Sequence, residues 1–298
     1  MHSTRSSTRF SFSIDSLFRA TVTTVALSII VLTVLLAFEL YFHSRLSLHQ
    51  FGFPFLWQTM WDPVAEKFGA LPFLYGTIVT SLIALVIAIP LGLGTAIFLS
   101  ELVPHRIAEV ITFLVELLAA IPSVLYGLIG IFILVPWMRA IGMPYGVGML
   151  TAGVLLSVMI VPFITSVSRE ILCAVPDSQR EAALSLGATK WEMVRMAVLP
   201  YARSGIFGSI FLALARALGE TMAVTMVIGN RPEIKLSLFE PGYTMAAVIA
   251  NEFSEATTDL YLNTLIEIGL VLFGVTIIVN AIARLLIHMM AHKGEVVS

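Results

Sequence analysis

The chain has 298 residues, 58% of them hydrophobic and only 12% charged, with a mean hydropathy of +0.95 and a formal net charge of −2. That apolar share exceeds what soluble domains carry, which makes this one integral membrane domain with little left over for a soluble one. The slightly acidic balance argues against nucleic acid as a partner, and the lone Cys173 excludes a disulfide framework or a thiolate metal cluster.

Residues 1–17 are Ser, Thr and Arg with scattered Phe, and predict a tail. The first apolar run, about Phe18–Phe42, is longer than a signal-peptide core and lacks a small-residue cleavage site, so it predicts a retained span. Residues 43–72 mix Phe51, Phe53, Phe55, Trp57 and Trp61 with Pro54 and Pro63, which suits an interfacial loop or short surface helix whose aromatics sit at headgroup depth. Further spans are predicted at about Leu74–Leu99, Ile111–Val135, Val147–Val167, Ile206–Ile228 and Thr264–Ile287, which makes six. Each is long enough to cross hydrocarbon, which takes about 20 residues. Pro90, Pro122 and Pro162 are expected to interrupt three of them. Such breaks survive only where neighbours or a wet cavity satisfy the freed backbone groups. Tyr243–Phe253 is apolar but too short to span, and reads as an interfacial or re-entrant helix.

Between the fourth and fifth spans lies PDSQREAALSLGATKWEMVRMAVLP, Pro176 to Pro200. Ser178 followed by Glu181 predicts a capping box, and Gly187 suits the left-handed residue that ends a helix. Thr189 with Glu192 repeats the device and opens a second short helix, which Pro200 is expected to close. Leu184, Leu186, Trp191 and Val194 offer apolar contacts, either for a docking partner or for a loop resting on the membrane surface.

Basic residues set the orientation. With the N-terminus inside, one side receives Arg5, Arg9, Arg19, Arg106, Arg169, Arg180, Lys190, Arg195, Arg203, Arg284 and Lys293; the other receives Arg45, Lys67, Arg139, Arg231 and Lys235. Both termini and the 176–200 segment are therefore expected in the cytoplasm.

Arg216 and Glu220 fall near the middle of the predicted fifth span, one helical turn apart and so on one face. An arginine at that depth costs about 2.5–3.5 kcal/mol on insertion scales. The pair must face the bundle interior or water, as a pathway site for a charged solute or as an ion pair locking two helices. Ser209 lies on the same stripe, with Thr221 and Thr225 flanking it. Gly205 with Ser209, and Ala213 with Ala217, are small-residue pairs that let helices approach closely. Glu116 in the third span is a further polar candidate, while Glu267 reads as a hydrogen-bonded packing residue. Glu39 and Glu101 lie near span ends, where the interface solvates them. No lysine sits in a phosphate-cradling G-x-x-x-x-G-K-[ST] loop, there is no H-E-x-x-H, and the six histidines form no ligand cluster. Nothing here predicts an enzyme, a bound metal or a bound cofactor.

The 176–200 segment resembles the EAA loop of importer-type ABC permeases, E-A-A-x3-G-x9-I-x-L-P, through Glu181, Ala182, Ala183, Gly187, Leu199 and Pro200; Ala197 departs where the pattern prefers Ile. PFLYGTIVTSLIALVIAIPLGLGTAIFLSE, ELLAAIPSVLYGLIG and ARALGETMAVTMVIGN resemble the PstC-type permeases of phosphate-specific ABC importers, and the resemblance covers roughly residues 20–290. It implies an all-α, six-span type I importer permease in a bacterial inner membrane, one domain over 18–290, with loops 43–72 and 231–263 facing the periplasm and 291–298 a cytoplasmic tail. It implies a heterodimer with a PstA-like permease, two ATPase subunits that hold ATP and Mg, and a periplasmic phosphate-binding protein. The EAA helix would be the coupling helix, seated in a groove of the ATPase, and Arg216, Glu220, Ser209, Thr221 and Glu116 would line the route of inorganic phosphate. Permeases for sulfate or molybdate share the loop, and a stand-alone secondary transporter would lack any need for it.

Overall fold

In the computed structural model, residues 8–295 are described; His2 and Arg5 lie outside them. The described residues are helical throughout, apart from connecting loops and one isolated bridge between Asp62 and Lys67. Six helical stretches are long and apolar enough to cross a membrane: Asp15–His43, Leu71–Leu102, Ser123–Ala140, Met149–Cys173, Lys190–Leu218 and Asp259–Met289. The number matches expectation, and four of the six positions do.

Helix α1 (Thr8–His43) starts inside the segment read as a tail and turns at Ser44 into the short α2 (Arg45–Phe51). Then α3 (Leu71–Ile97) runs through Pro90 without a break and ends in a π turn, Phe98–Leu102. Its partner is α7 (Met149–Cys173), which likewise carries Pro162 in an unbroken helix. The expected interruptions at Pro90 and Pro162 are therefore absent. The two helices approach closely because Gly92 faces Ile164 and Gly153 faces Ile83; a Cβ on Gly153 would lie 2.5 Å from Ile83. At the same seam Thr165 donates to the Gly92 carbonyl at 3.2 Å.

The third span departs from expectation. Helix α4 (His105–Ala119) stops short of spanning, and Pro122 holds extended backbone before α5 (Ser123–Ile129). A π turn, Gly130–Leu134, then leads into α6 (Val135–Ala140), and it is this 123–140 stretch that is long enough to cross. Proline disfavours helical backbone at the residue before it, and here the sequence Ala-Ile-Pro yields.

The fifth span is shifted in the opposite sense. Helix α8 (Asp177–Ser185) is separate, but α9 (Lys190–Met193), the π turn Val194–Val198 and α10 (Leu199–Leu218) form one rod. Pro200 does not close the loop: it follows the π turn and sits in the first turn of the next α segment, where its missing N–H costs least. The rod ends at Gly219, before α11 (Met222–Ile228). The short α12 (Met245–Glu252) is tucked against the bundle with Met245 to Val248 buried, as its length requires. Helix α13 (Asp259–Glu295) is the last span.

The largest core joins α3, α5, α7, α10 and α11 through residues such as Leu156, Ile160, Ile164, Ala213 and Val227. A second, at one end, gathers Phe55, Phe68 and Phe73 with Tyr243, Tyr261 and Leu265. Trp61 donates to Glu252 there at 2.9 Å, so this aromatic is braced inside, while Phe53 and Trp57 stay exposed. A third, at the other end, packs Ala96, Leu172, Val175, Val194 and Val198 beneath α8.

Candidate functional site

At the α8 end, the helix begins at Asp177 with Pro176 in the capping position and no side-chain cap. The box expected from Ser178 and Glu181 is absent, because proline already supplies the extended residue and puts Ser178 inside the first turn. Asp177 places a carboxylate at the helix N-terminus, which favours it. The far end behaves as read from sequence. Gly187 has φ +85°, its N–H bonds the Leu184 carbonyl at 3.0 Å, and the Ala188 N–H bonds that of Ala183 at 3.3 Å. These two bonds are a Schellman motif. The Thr189–Glu192 capping box also forms, with the Thr189 N–H donating to Glu192 Oε2 at 2.8 Å and the Glu192 N–H to Thr189 Oγ1 at 3.3 Å. The Thr189 hydroxyl donates to the same carboxylate oxygen at 2.8 Å.

Glu181 and Ala182 are exposed, Leu184, Trp191 and Met196 also face outward, and Leu186 is 89% exposed. Val194, in contrast, is fully buried beneath. Between α8 and the rod lies a shallow cavity of about 490 Å³, lined by Ala183, Leu186, Gly187, Ala188, Glu192, Met196 and Ala197. The loop is thus a preformed, partly apolar surface on a rigid base. Leu199 and Pro200 open α10 instead; Leu199 is half-buried, Pro200 is exposed, and neither lines the cavity.

What anchors α8 was not legible in the sequence. Arg180 donates to both carboxylate oxygens of Glu101, at 2.9 and 3.3 Å. It donates further to the Leu172 carbonyl at 2.8 Å, to the Val175 carbonyl, and to Asp177 at 3.1 Å. Glu101 was read as a carboxylate solvated at a span end; its side chain is 5% exposed, and that of Arg180 16%. The Glu101 hydrogen bond holds the guanidinium above its ordinary pKa against the opposing effect of burial. The partners are 79 residues apart, and no local spacing announces them.

The helices that follow the breaks in the third and fifth spans pack on each other. Helix α5 packs on α11, and Gly127 lies so close to it that a Cβ would stand 2.4 Å from Met226 Sδ. Tyr126 donates back across the first break to the Leu118 carbonyl at 2.8 Å. At the second break, Glu220 accepts from the Ala223 N–H at 3.2 Å, and Thr221 donates to the Gly219 carbonyl at 3.2 Å. Arg216 is in the last turn of α10, exposed, with Tyr126 within its electrostatic reach. Because the helix ends at Leu218, Glu220 does not share a helical face with Arg216, and no salt bridge joins them among the described residues. Glu220 instead caps α11. Of the two readings left open, the ion pair locking two helices is not formed; an exposed guanidinium stands beside a capping carboxylate.

Ser209 is 1% exposed and hydrogen-bonds Ser168 at 2.8 Å, so it clasps α10 to α7 within the small-residue seam where Gly205 meets Ile171. Glu116 is exposed on α4. Glu267 is buried and accepts from Ser47, which in turn accepts from Thr264 at 3.2 Å, consistent with a packing role. Among the described residues no group of His, Cys, Asp and Glu is placed to hold a metal.

A family profile described as "Binding-protein-dependent transport system inner membrane component" matches residues 88–292. The phosphate transport system permease protein PstC of Mesorhizobium japonicum is 47% identical over 91% of this chain and 89% of its own length. The PstC of Haemophilus influenzae is 43% identical over 95% of this chain and 96% of its own. Among solved structures, a bacterial ABC transporter that imports the acidic polysaccharide alginate aligns with TM-score 0.62 and 15% identity, over 92% of this chain and 98% of the other. The inward-facing MetNI methionine ABC transporter aligns with TM-score 0.60 and 17% identity, over 78% and 99%. These structural likenesses concern the fold.

Proposed function

This chain belongs to the binding-protein-dependent transport system inner membrane components, and from that premise we infer that it is the permease subunit of an ATP-driven phosphate importer. The observation that carries this is near-full-length similarity to PstC proteins, with the EAA-type loop formed as an exposed, rigidly based surface. The chain is a conduit; ATP and Mg belong on separate ATPase subunits, of which two would dock on the α8 surfaces of this chain and a PstA-like partner. Glu181, Ala182, Ala183, Leu186 and Gly187 would make the contact, with Leu199 and Pro200 in the rod behind them. The excess of basic residues near that end supports a cytoplasmic side there, in the inner membrane, with both termini inside. The aromatic-braced end, with exposed Phe53 and Trp57, would then face a periplasmic phosphate-binding protein.

Phosphate carries one to two negative charges and needs donors that do not hold it too tightly, since an anion that binds strongly cannot leave. Arg216, exposed beside two helix breaks, supplies the charge. Glu220 and Thr221 shape the second break, and Glu116 tempers the field from α4. Ser209 acts in the same route by clasping α10 to α7. Closure of the ATPase pair would move α8 and, through the rod, the α10–α11 break. The test is labelled-phosphate uptake by proteoliposomes containing both permeases and the ATPase, with binding protein outside. Uptake that needs ATP and binding protein, and that excess sulfate or molybdate does not suppress, is expected. Suppression by either would favour another oxyanion, and uptake by this chain alone would favour a secondary transporter. Arg216→Gln should abolish uptake with assembly intact; normal uptake would remove Arg216 from the route.

A further inference from the structure

Helix α8 buries none of its residues fully, and Ala183 alone packs partly on the core beneath it. Apolar packing therefore cannot hold this helix in register with the bundle. What does so is the Arg180 guanidinium. It has five N–H donors in a fixed plane, and five acceptors meet them: both Glu101 oxygens, the Leu172 and Val175 carbonyls, and Asp177. Four of these acceptors lie outside α8. Glu101 belongs to the π turn that ends α3, and Leu172 and Val175 to the last turn of α7 and the residues after it. One side chain thus joins α8 to the ends of the two helices that meet along the Gly92 and Gly153 seam.

We propose that Arg180, paired with Glu101, is the positioning residue that passes movement of α8 into the α3–α7 pair, so that ATP hydrolysis on the partner is spent on transport. Neither residue touches phosphate or nucleotide. The geometry also separates this route from the covalent one, in which α8 pulls the rod through Gly187 to Lys190. The short loop between them contains a left-handed glycine, a soft joint, whereas the guanidinium–carboxylate fork is bidentate and nearly dry, which makes it the stiffer link. Lysine cannot replace it, since one ammonium offers three donors from a single point and cannot span both carboxylate oxygens and two carbonyls.

The proposal rests on the importer reading above, and the experiment separates the two. The complete reconstituted complex is assayed for phosphate accumulated per ATP hydrolysed, for ATPase retained on co-purification, and for Tm, in wild type, Arg180→Lys and Glu101→Gln. Absence of ATP-dependent uptake in wild type would sink the importer reading. With wild-type uptake established, both variants are expected to keep the ATPase bound and hydrolysing. Phosphate moved per ATP should fall at least about tenfold in Arg180→Lys, the scale of one lost charge-assisted hydrogen bond, and less in Glu101→Gln, which keeps one acceptor. A lowered Tm with an unchanged ratio would make the pair a structural brace and overturn the proposal. So would loss of the ATPase from the complex, which would place Arg180 in docking. Should Arg180→Lys fail to assemble, an unchanged ratio in Glu101→Gln overturns it equally.

Discussion

Gly187 sits at φ +85° with nothing within 4 Å of where a Cβ would stand, so any penalty for a side chain there is conformational. Gly187→Ala should weaken the end of α8 by about 1 kcal/mol, the cost of left-handed backbone for an L-residue, while Asn should cost less. Hydrogen-exchange protection of the Gly187 and Ala188 amides would read it; equal protection in all three would show that the motif does not depend on the glycine. Glu192 makes a counterpart at the start of the next helix. Its carboxylate accepts from the Thr189 N–H at 2.8 Å and closes the capping box. Glu192→Ala should remove that bond and speed up exchange of the Thr189 amide. Unchanged exchange would show that the box does not hold the amide.

The elements divide into those hydropathy reveals and those it does not. Long apolar runs such as Met149–Cys173 were legible because a span must be apolar along its length, and Thr189 with Glu192 because both partners of the cap are local. The three prolines look alike in sequence yet only Pro122 breaks a helix. Pro90 and Pro162 lie in α3 and α7, which press together along Gly92 and Gly153 and keep each other helical. The fifth span was placed too late because Lys190, Glu192 and Arg195 read as a separate short helix closed by Pro200, although they ride the exposed side of a rod whose other side, Met193, Val194 and Val198, is buried. Arg216 with Glu220 misled for the converse reason: spacing of four implies one face only while the helix lasts, and Gly219 ends it. Where α5 meets α11, the fit is tight. Gly127→Val should lower stability by about 1–3 kcal/mol, by driving a side chain into Met226 and Ala223. An unchanged Tm would mean that α5 and α11 are not packed as described.

Over the whole molecule, orientation can be checked without altering the sequence. Cys173 is exposed at the end of α7, beside α8. A membrane-impermeant maleimide should label it in inside-out vesicles and leave it untouched in right-side-out ones; the reverse pattern would invert the orientation inferred from the basic residues. The same view sets α1 against α7. The apolar stretch of α7 is 61% buried within the chain and that of α1 not at all, α1 meeting the bundle chiefly along α13. Shape therefore matters little for residues 15–43, where greasiness alone suffices, and Leu, Ile, Val and Phe should interchange freely. Extraction reverses the comfort this gives. In hydrocarbon a bare apolar rod carries no solvation debt, but once the lipid is stripped away every outward methyl on it must be wetted or coated. Amphiphiles too short to sheathe that flank should make purified material clump through its N-terminal helix first.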